Sequence, residues 1–183
     1  MSVKRKIRLL AGITLMCAAL SACATSAPEL PKLSDVDIDP NRQALAIREV
    51  QNLRSQGKRA WCVPFARNLS GIEIRGNANT WWGQAEGKYA RGNDPRIGAV
   101  MTFSKTRRLT MGHVAVVSEV ISDREIRVDH ANWHRNKISS KMAVIDVSEA
   151  GDWSAVKLES SPGTFGRAYP VKGFIYPTTA TAI

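Results

Sequence analysis

Four side chains in this sequence could together break an amide bond. They are Cys62, His113 and the closely spaced pair His130 and Asn132. A thiol becomes an effective nucleophile when an imidazole takes its proton and a third polar group fixes the orientation of that imidazole. The residue types therefore predict cysteine-dependent catalysis by Cys62 and His113, with His130 or Asn132 as the third group and with no cofactor.

The first 22 residues have the pattern of a secretory signal. Four basic residues precede an apolar run from Leu9 to Leu20, which is too short to span a bilayer comfortably. The run ends in Leu20-Ser21-Ala22-Cys23, which resembles a bacterial lipobox. This resemblance implies cleavage before Cys23 and attachment of a diacylglycerol to its sulfur. An ordinary signal peptide cut nearby is the alternative.

Of the three cysteines in the sequence, only Cys62 is expected to keep a free thiol in the mature protein. Cys17 would be removed with the signal and Cys23 would carry lipid, which leaves Cys62 alone in an oxidising compartment. No intramolecular disulfide is then expected. A lone thiol in such a place is either a buried small apolar residue or a nucleophile.

The charge of the chain indicates acidic partners. The formal charge of +10 falls to +6 when residues 1–22 are removed, because that segment has four basic and no acidic side chains. An exported basic protein meets wall carboxylates and lipid phosphates, so we expect peptidoglycan and a membrane, and no nucleic acid. Arg107 and Arg108, with Lys105, could meet substrate carboxylates or could simply be a solvated loop.

The spacing of apolar residues predicts the helices and strands that could position these side chains. Residues 24–40 are predicted to be a solvated tether, and helices are predicted at 41–56, from Cys62 onward, and around 81–86. A helix beginning at Cys62 would favour its thiolate through the unsatisfied backbone amides. Strands are predicted at 99–103, 113–121, 125–133, 141–147, 156–158 and 166–176. Helices followed by antiparallel strands predict an α+β domain.

Alternation along residues 125–133 bears on the third group. Period two places His130 and Asn132 on the inward face and Asp129 on the other. The two inward residues would be about 6.6 Å apart, too far for both to reach one ring nitrogen equally. One of the two must therefore be the primary partner of His113, and the alternation alone does not decide which.

These motifs resemble those of CHAP domains over about residues 57–177. The segments concerned are Trp61 to Arg67, Asn79 to Trp82, Pro95 to Val100, Gly112 to Val117 and Asp129 to Trp133. The resemblance implies the papain-like NlpC/P60 fold, with Cys62 as nucleophile and His113 as base. Many CHAP domains have Glu-x-Asn before an aromatic residue where this chain has His130-Ala131-Asn132. NlpC/P60 relatives use a histidine as the third residue. Because His130 stands at the position of the CHAP glutamate and a neutral imidazole can accept a hydrogen bond, we expect it to accept the Nδ1 proton of His113. Asn132 would then hold the site or the substrate, and the reverse assignment stays open.

The resemblance also implies a function and a place in the cell. We expect a signal peptide at 1–22, a lipidated tether at 23–40, a CHAP domain with its N-terminal helix at 41–177 and a tail at 178–183. The expected activity is that of a peptidoglycan hydrolase, an N-acetylmuramoyl-L-alanine amidase or an endopeptidase. Separately, Ala24 follows Cys23, whereas resemblance to enterobacterial lipoproteins associates an aspartate there with inner-membrane retention. In a source with two membranes, the expected location is therefore the periplasmic face of the outer membrane.

Several alternatives stay open on the sequence alone. The domain could bind peptidoglycan or a partner without catalysis, or it could transfer the acyl group to an amine, and a cell-envelope activator protein could be required. Trp81, Trp82 and Trp133 could line the substrate groove, although large aromatic residues are more often core. Zinc bound by Cys62, His113, His130 and His134 is disfavoured by their spacing.

Overall fold

The computed structural model describes residues 38–177. The helices are α1 (Pro40–Ser55), α2 (Cys62–Ser70) and α3 (Trp81–Gln84), which follows a 3₁₀ turn at Ala78–Thr80. The strands are β1 (Arg91–Gly92), β2 (Val100–Phe103), β3 (His113–Ser122), β4 (Glu125–Ala131), β5 (Ile138–Asp146), β6 (Ala155–Ser161) and β7 (Thr164–Ile175). The predicted signal, Cys23, most of the tether and the tail lie outside the described residues.

Helix α1 begins where its local sequence favours a helix start. The Asp39 side chain accepts the backbone N–H of Asn41 at 2.8 Å, and Pro40 occupies the first turn, where its missing N–H costs nothing. Ala46 and Val50 are buried against the rest of the domain. The predicted helix at 41–56 is therefore confirmed to within one residue at each end.

No helix among residues 38–177 combines the length and apolar character that crossing a membrane requires.

The strands form one antiparallel sheet that closes on itself. Their order is β1-β7-β2-β3-β4-β5-β6, and β6 also pairs with β7. One face carries Val114 and Val116 against the helices, while Ala115 and Val117 face a second core inside the closed sheet. Helices packed on an antiparallel sheet are the α+β arrangement that the sequence predicts. The closure was not predicted.

Among the strand boundaries that differ from prediction, two shape the site. Strand β4 ends at Ala131, because Asn132 has a φ of 65° and leaves the extended conformation. Strand β5 begins at Ile138 and gains one residue relative to β4, at a point where Lys141 has a φ of 51°. Asp129 is buried and accepts the backbone N–H of Lys141 at 2.7 Å, so it stabilises this irregularity.

Candidate active site

Cys62 is the first residue of α2 and is half-buried. The preceding Trp61 has extended backbone angles, so the chain turns sharply into the helix. Burial raises the pKa of the Cys62 thiol, and the backbone amides of Val114, Val63 and Cys62 itself lower it by less. The expectation that the helix N-terminus leaves a favoured thiolate is wrong, because loss of hydration outweighs the amide contacts.

The contact with Val114 places the thiol beside the start of β3. His113 is the first residue of that strand and is 4% exposed. Gly112 precedes it with a φ of 68°, and a Cβ there would lie 2.8 Å from the backbone nitrogen of Asn79. Only glycine fits this close approach, because any other residue would be strained and would clash with backbone. Cys62 and His113 also line the same cavity.

His130 lies against His113 from the neighbouring strand β4. Nε2 of His113 is 2.9 Å from Nδ1 of His130, and the His130 side chain is fully buried. The sequence predicted this pair but predicted the wrong nitrogen of His113. Because Nε2 contacts His130, Nδ1 of His113 is the ring nitrogen that remains for another partner.

Met142 on β5 determines which nitrogen of His130 holds the proton. Its sulfur is 3.3 Å from Nε2 of His130. A thioether can accept a hydrogen bond and cannot donate one, so His130 must donate from Nε2. Nδ1 of His130 is then an acceptor, and His113 donates to it from Nε2–H. This leaves an unprotonated Nδ1 on His113, which is the state a general base needs.

Both imidazoles are held neutral by their surroundings. Burial lowers the pKa of His113 to about 3. Burial also lowers the pKa of His130 well below 6.5, and electrostatic repulsion between protonated His130 and its neighbours His113 and His134 lowers it further. Trp133 stacks on His130 at 5.7 Å between ring centroids and makes an edge contact with His113 at 5.1 Å. The resting site is therefore a neutral thiol beside a neutral pair of imidazoles.

Asn132 is turned away from this pair. Its Oδ1 accepts Nε–H of Arg59 at 3.1 Å and the backbone N–H of Asn136 at 2.9 Å. The prediction that Asn132 shares the inward face with His130 is wrong. Strand β4 ends at Ala131, the residue before Asn132, so the alternation of side chains does not extend to Asn132. The oxygen that would have oriented His113 is already occupied by Arg59 and Asn136.

A surface cavity of about 910 Å³ opens over Cys62 and His113. Of the three tryptophans singled out from the sequence, only Trp133 lines it. Trp81 is fully buried in the core, and Trp82 packs against the Arg91 guanidinium 4.9 Å away. Residues of the lining that sequence analysis did not assign to the site include Arg59, Trp61, Arg67, Arg75 and Met111.

Two of the missed residues, Trp61 and Met111, share a feature that was visible in the sequence. Trp61 immediately precedes Cys62 and is 50% exposed, and Met111 precedes the Gly112 turn and is 57% exposed. Residues that directly flank a nucleophile or a base at a turn lie at the rim of the same site. Their adjacency to Cys62 and His113 could have identified them.

The zinc site considered from the sequence has no counterpart among the residues that the structure describes. Among residues 38–177, no group of three or more His, Cys, Asp or Glu side chains is arranged to hold a metal ion. Of the four zinc ligands considered from the sequence, His134 is exposed beyond the end of β4. The arrangement of Cys62, His113 and His130 instead fits proton transfer from a thiol.

Comparison with known families agrees with this geometry. The family model of the CHAP domain matches residues 54–132. This part of the chain is therefore similar to a CHAP domain. No protein of known, curated function matches the chain.

The CHAP match includes Cys62, His113 and His130 and ends at Asn132. Met142 and strands β5 to β7, which close the sheet, follow the matched segment. CHAP domains are generally amidase or peptidase modules that depend on a cysteine and a histidine, and they are associated with peptidoglycan. The matched residues and the geometry of the site thus indicate the same class of chemistry.

Proposed function

We propose that this CHAP domain hydrolyses an amide bond of peptidoglycan, as an amidase or an endopeptidase. Cys62 is the nucleophile, His113 is the base and His130 orients His113. The observation that carries the proposal is the contact from Nε2 of His113 to Nδ1 of His130, beside a thiol that lies against the amide of Val114. Release of soluble fragments from purified peptidoglycan by the wild type, and not by Cys62→Ala, tests it.

The first half of the reaction forms an acyl-enzyme. Nδ1 of His113 takes the thiol proton as the Cys62 sulfur attacks the amide carbonyl, and the charge on the resulting imidazolium is stabilised through Nε2–H by His130. The backbone amide of Cys62 and a neighbouring donor hold the developing oxyanion. His113 then gives its proton to the leaving amine as the carbon–nitrogen bond breaks.

The second half restores the thiol. His113, neutral again, takes a proton from water as the water oxygen attacks the thioester. The carbon–sulfur bond breaks, the sulfur regains a proton from His113, and the product leaves as a carboxylic acid, which ionises. The low pKa of His113, which is caused by burial, favours transfer of its proton to the leaving amine and the leaving thiolate, and it opposes the earlier transfer of the thiol proton to His113.

We extend the proposal to the papain-like NlpC/P60 fold. Its support is the placement of the three residues, at a helix start, at a strand start and on the next strand of a closed antiparallel sheet. A histidine in the third position also agrees with the NlpC/P60 pattern that the sequence resembles.

The proposed location is the periplasmic face of an outer membrane, through lipid on Cys23. The support is the Leu20-Ser21-Ala22-Cys23 motif, its distance from Met1 and the basic residues before it. Cys23→Ser is expected to move the protein from the membrane fraction to the soluble fraction. A processed Cys23→Ser protein that stays with membranes would rule out the anchor.

A further inference from the structure

The formally charged residues that line the cavity over Cys62 are all positive. Four arginines line it, and no aspartate or glutamate does: Arg59, Arg67, Arg75 and Arg108. None of the ion pairs among residues 38–177 involves any of these four guanidinium groups. Of the three basic residues that the sequence singled out between β2 and β3, only Arg108 lines the cavity, whereas Lys105 and Arg107 do not. The cavity therefore attracts an anion.

One of these arginines is held in place. Nε of Arg59 donates to Oδ1 of Asn132 at 3.1 Å, and its guanidinium carbon lies 4.5 Å from the ring centroid of Trp61. Two contacts on different sides of the guanidinium limit its rotation. Because the bond to Asn132 uses only Nε–H, the two terminal nitrogens keep the fork geometry that matches a carboxylate.

Asn132 is itself fixed by the loop that follows β4. Its backbone N–H donates to the carbonyl of Lys137 at 2.7 Å, and its Oδ1 accepts the N–H of Asn136. Oδ1 of Asn136 accepts the N–H of Ala60 at 2.9 Å. The loop therefore holds both the Arg59 side chain and the backbone of the next residue, two positions before Cys62.

We propose that Arg59, held by Asn132 and Trp61, binds a free carboxylate of the substrate close to the scissile amide. The substrate class is an acidic peptide whose carboxylate is not amidated, as in a peptidoglycan stem with its carboxyl groups free. This rests on the proposed function, since the amide that is cut must reach Cys62 in the same cavity. Asn132 is a positioning residue, which acts through Arg59 and not through His113.

The proposal is tested by binding, so that it does not depend on turnover. Cys62→Ser protein is titrated with two synthetic stem peptides of one sequence, with carboxylates free in one and amidated in the other. We expect the free peptide to bind about tenfold more tightly, as one charge-assisted bidentate contact would give. Arg59→Gln should remove that preference, and Arg59→Lys should keep only part of it because the fork is lost.

A matched control removes the same charge elsewhere. Arg167 is exposed on β7 and does not line the cavity, so Arg167→Gln should keep the preference. Asn132→Ala, in a protein with Cys62 intact, should raise KM more than it lowers kcat. A purely structural role of Asn132 would instead lower stability and kcat together.

Equal binding of the two peptides, or no binding of either, would overturn the proposal. So would a preference that persists in Arg59→Gln, or displacement of the free peptide by inorganic phosphate at equal concentration. Cleavage of both peptides at equal efficiency would leave the hydrolase proposal standing and refute this one. If the wild type binds the free peptide selectively and cleaves neither peptide, the Arg59 proposal stands and the hydrolase proposal is refuted.

Discussion

Nε2 of His113 lies 2.9 Å from Nδ1 of His130, and both rings are buried. Histidines this close cannot both carry a proton on the facing nitrogens, so one must donate and the other accept. The sulfur of Met142 on the far side of His130 settles the direction, because it can only accept. A buried thioether thus determines that Nδ1 of His113 is the basic nitrogen.

Removing the third imidazole should slow turnover without abolishing it. His130→Ala is expected to lower kcat by about ten- to a thousandfold, because an orienting group matters less than the nucleophile or the base. His130→Gln should recover part of this loss, since its amide oxygen can accept from Nε2 of His113. The measurement is the steady-state kinetics of muropeptide cleavage, with Arg167→Gln, which is exposed and outside the cavity, as control. Activity untouched by His130→Ala and abolished by Asn132→Ala would assign the role to Asn132.

Met142 should affect the chemistry through the tautomer of His130. Met142→Leu keeps the volume and removes the acceptor, so stability should fall by less than about 1.5 kcal/mol. The Nε2–H tautomer of His130 should lose its preference, with a kcat lower by about three- to tenfold, as loss of one weak hydrogen bond would give. Nitrogen-15 spectra of the imidazoles report the tautomer directly. A wild-type spectrum with His130 protonated at Nδ1 would contradict this assignment.

The resting thiol should be neutral at physiological pH. Burial raises the pKa of Cys62 above its usual 9.0, so little thiolate should form until the pH passes that value. The measurement is the ultraviolet absorbance of the thiolate, taken as the difference between wild type and Cys62→Ser across a pH titration. Alkylation of Cys62 should accelerate over the same alkaline range. A thiolate signal already complete near neutral pH would establish an ion pair with His113 instead.

The buried imidazole makes the fold sensitive to acid. The pKa of His113 is about 3 in the folded state, against an ordinary value of 6.5. Between pH 3 and pH 6.5, His113 therefore binds a proton in the unfolded chain and not in the folded chain. The stabilisation is complete above pH 6.5 and is lost as the pH falls toward 3, on the order of 5 kcal/mol in all. Urea unfolding from about pH 7.5 to about pH 4 should give a slope that His113→Gln reduces. An unchanged slope would show that His113 is not buried in its neutral form.

Much of the fold could be predicted from local sequence, because periodicity and caps act locally. The helix at 41–56, the helix start at Cys62 and the strand that begins at His113 were all predicted from such signals. The end of β4 was not, because Asn132 takes a left-handed conformation that its contacts with Asn136 and Lys137 stabilise. Closure of the sheet depends on pairing of β6 with β7, which alternation within a strand does not specify.

The geometry around Cys62 could be predicted only in part. His113 and His130 are in contact, and Cys62 lines the same cavity as His113, whereas the nitrogen of His113 that contacts His130 follows from ring orientation, which sequence does not encode locally. The bond from Arg59 to Asn132 joins residues 73 positions apart, so no local signal could indicate it. The thiol pKa was predicted with the wrong sign, because the helix terminus is visible in sequence and burial is not.

The central claim is that Cys62 cuts an amide bond of peptidoglycan with the help of His113. The most direct test is mass analysis of the soluble fragments released from purified peptidoglycan by the wild type, Cys62→Ala and the exposed-site control Arg167→Gln. We predict that the wild type and the control release fragments with a new amine and a new carboxylate at one kind of amide bond. Cys62→Ala should release none. Equal release by wild type and Cys62→Ala, or none by the wild type, would contradict the account.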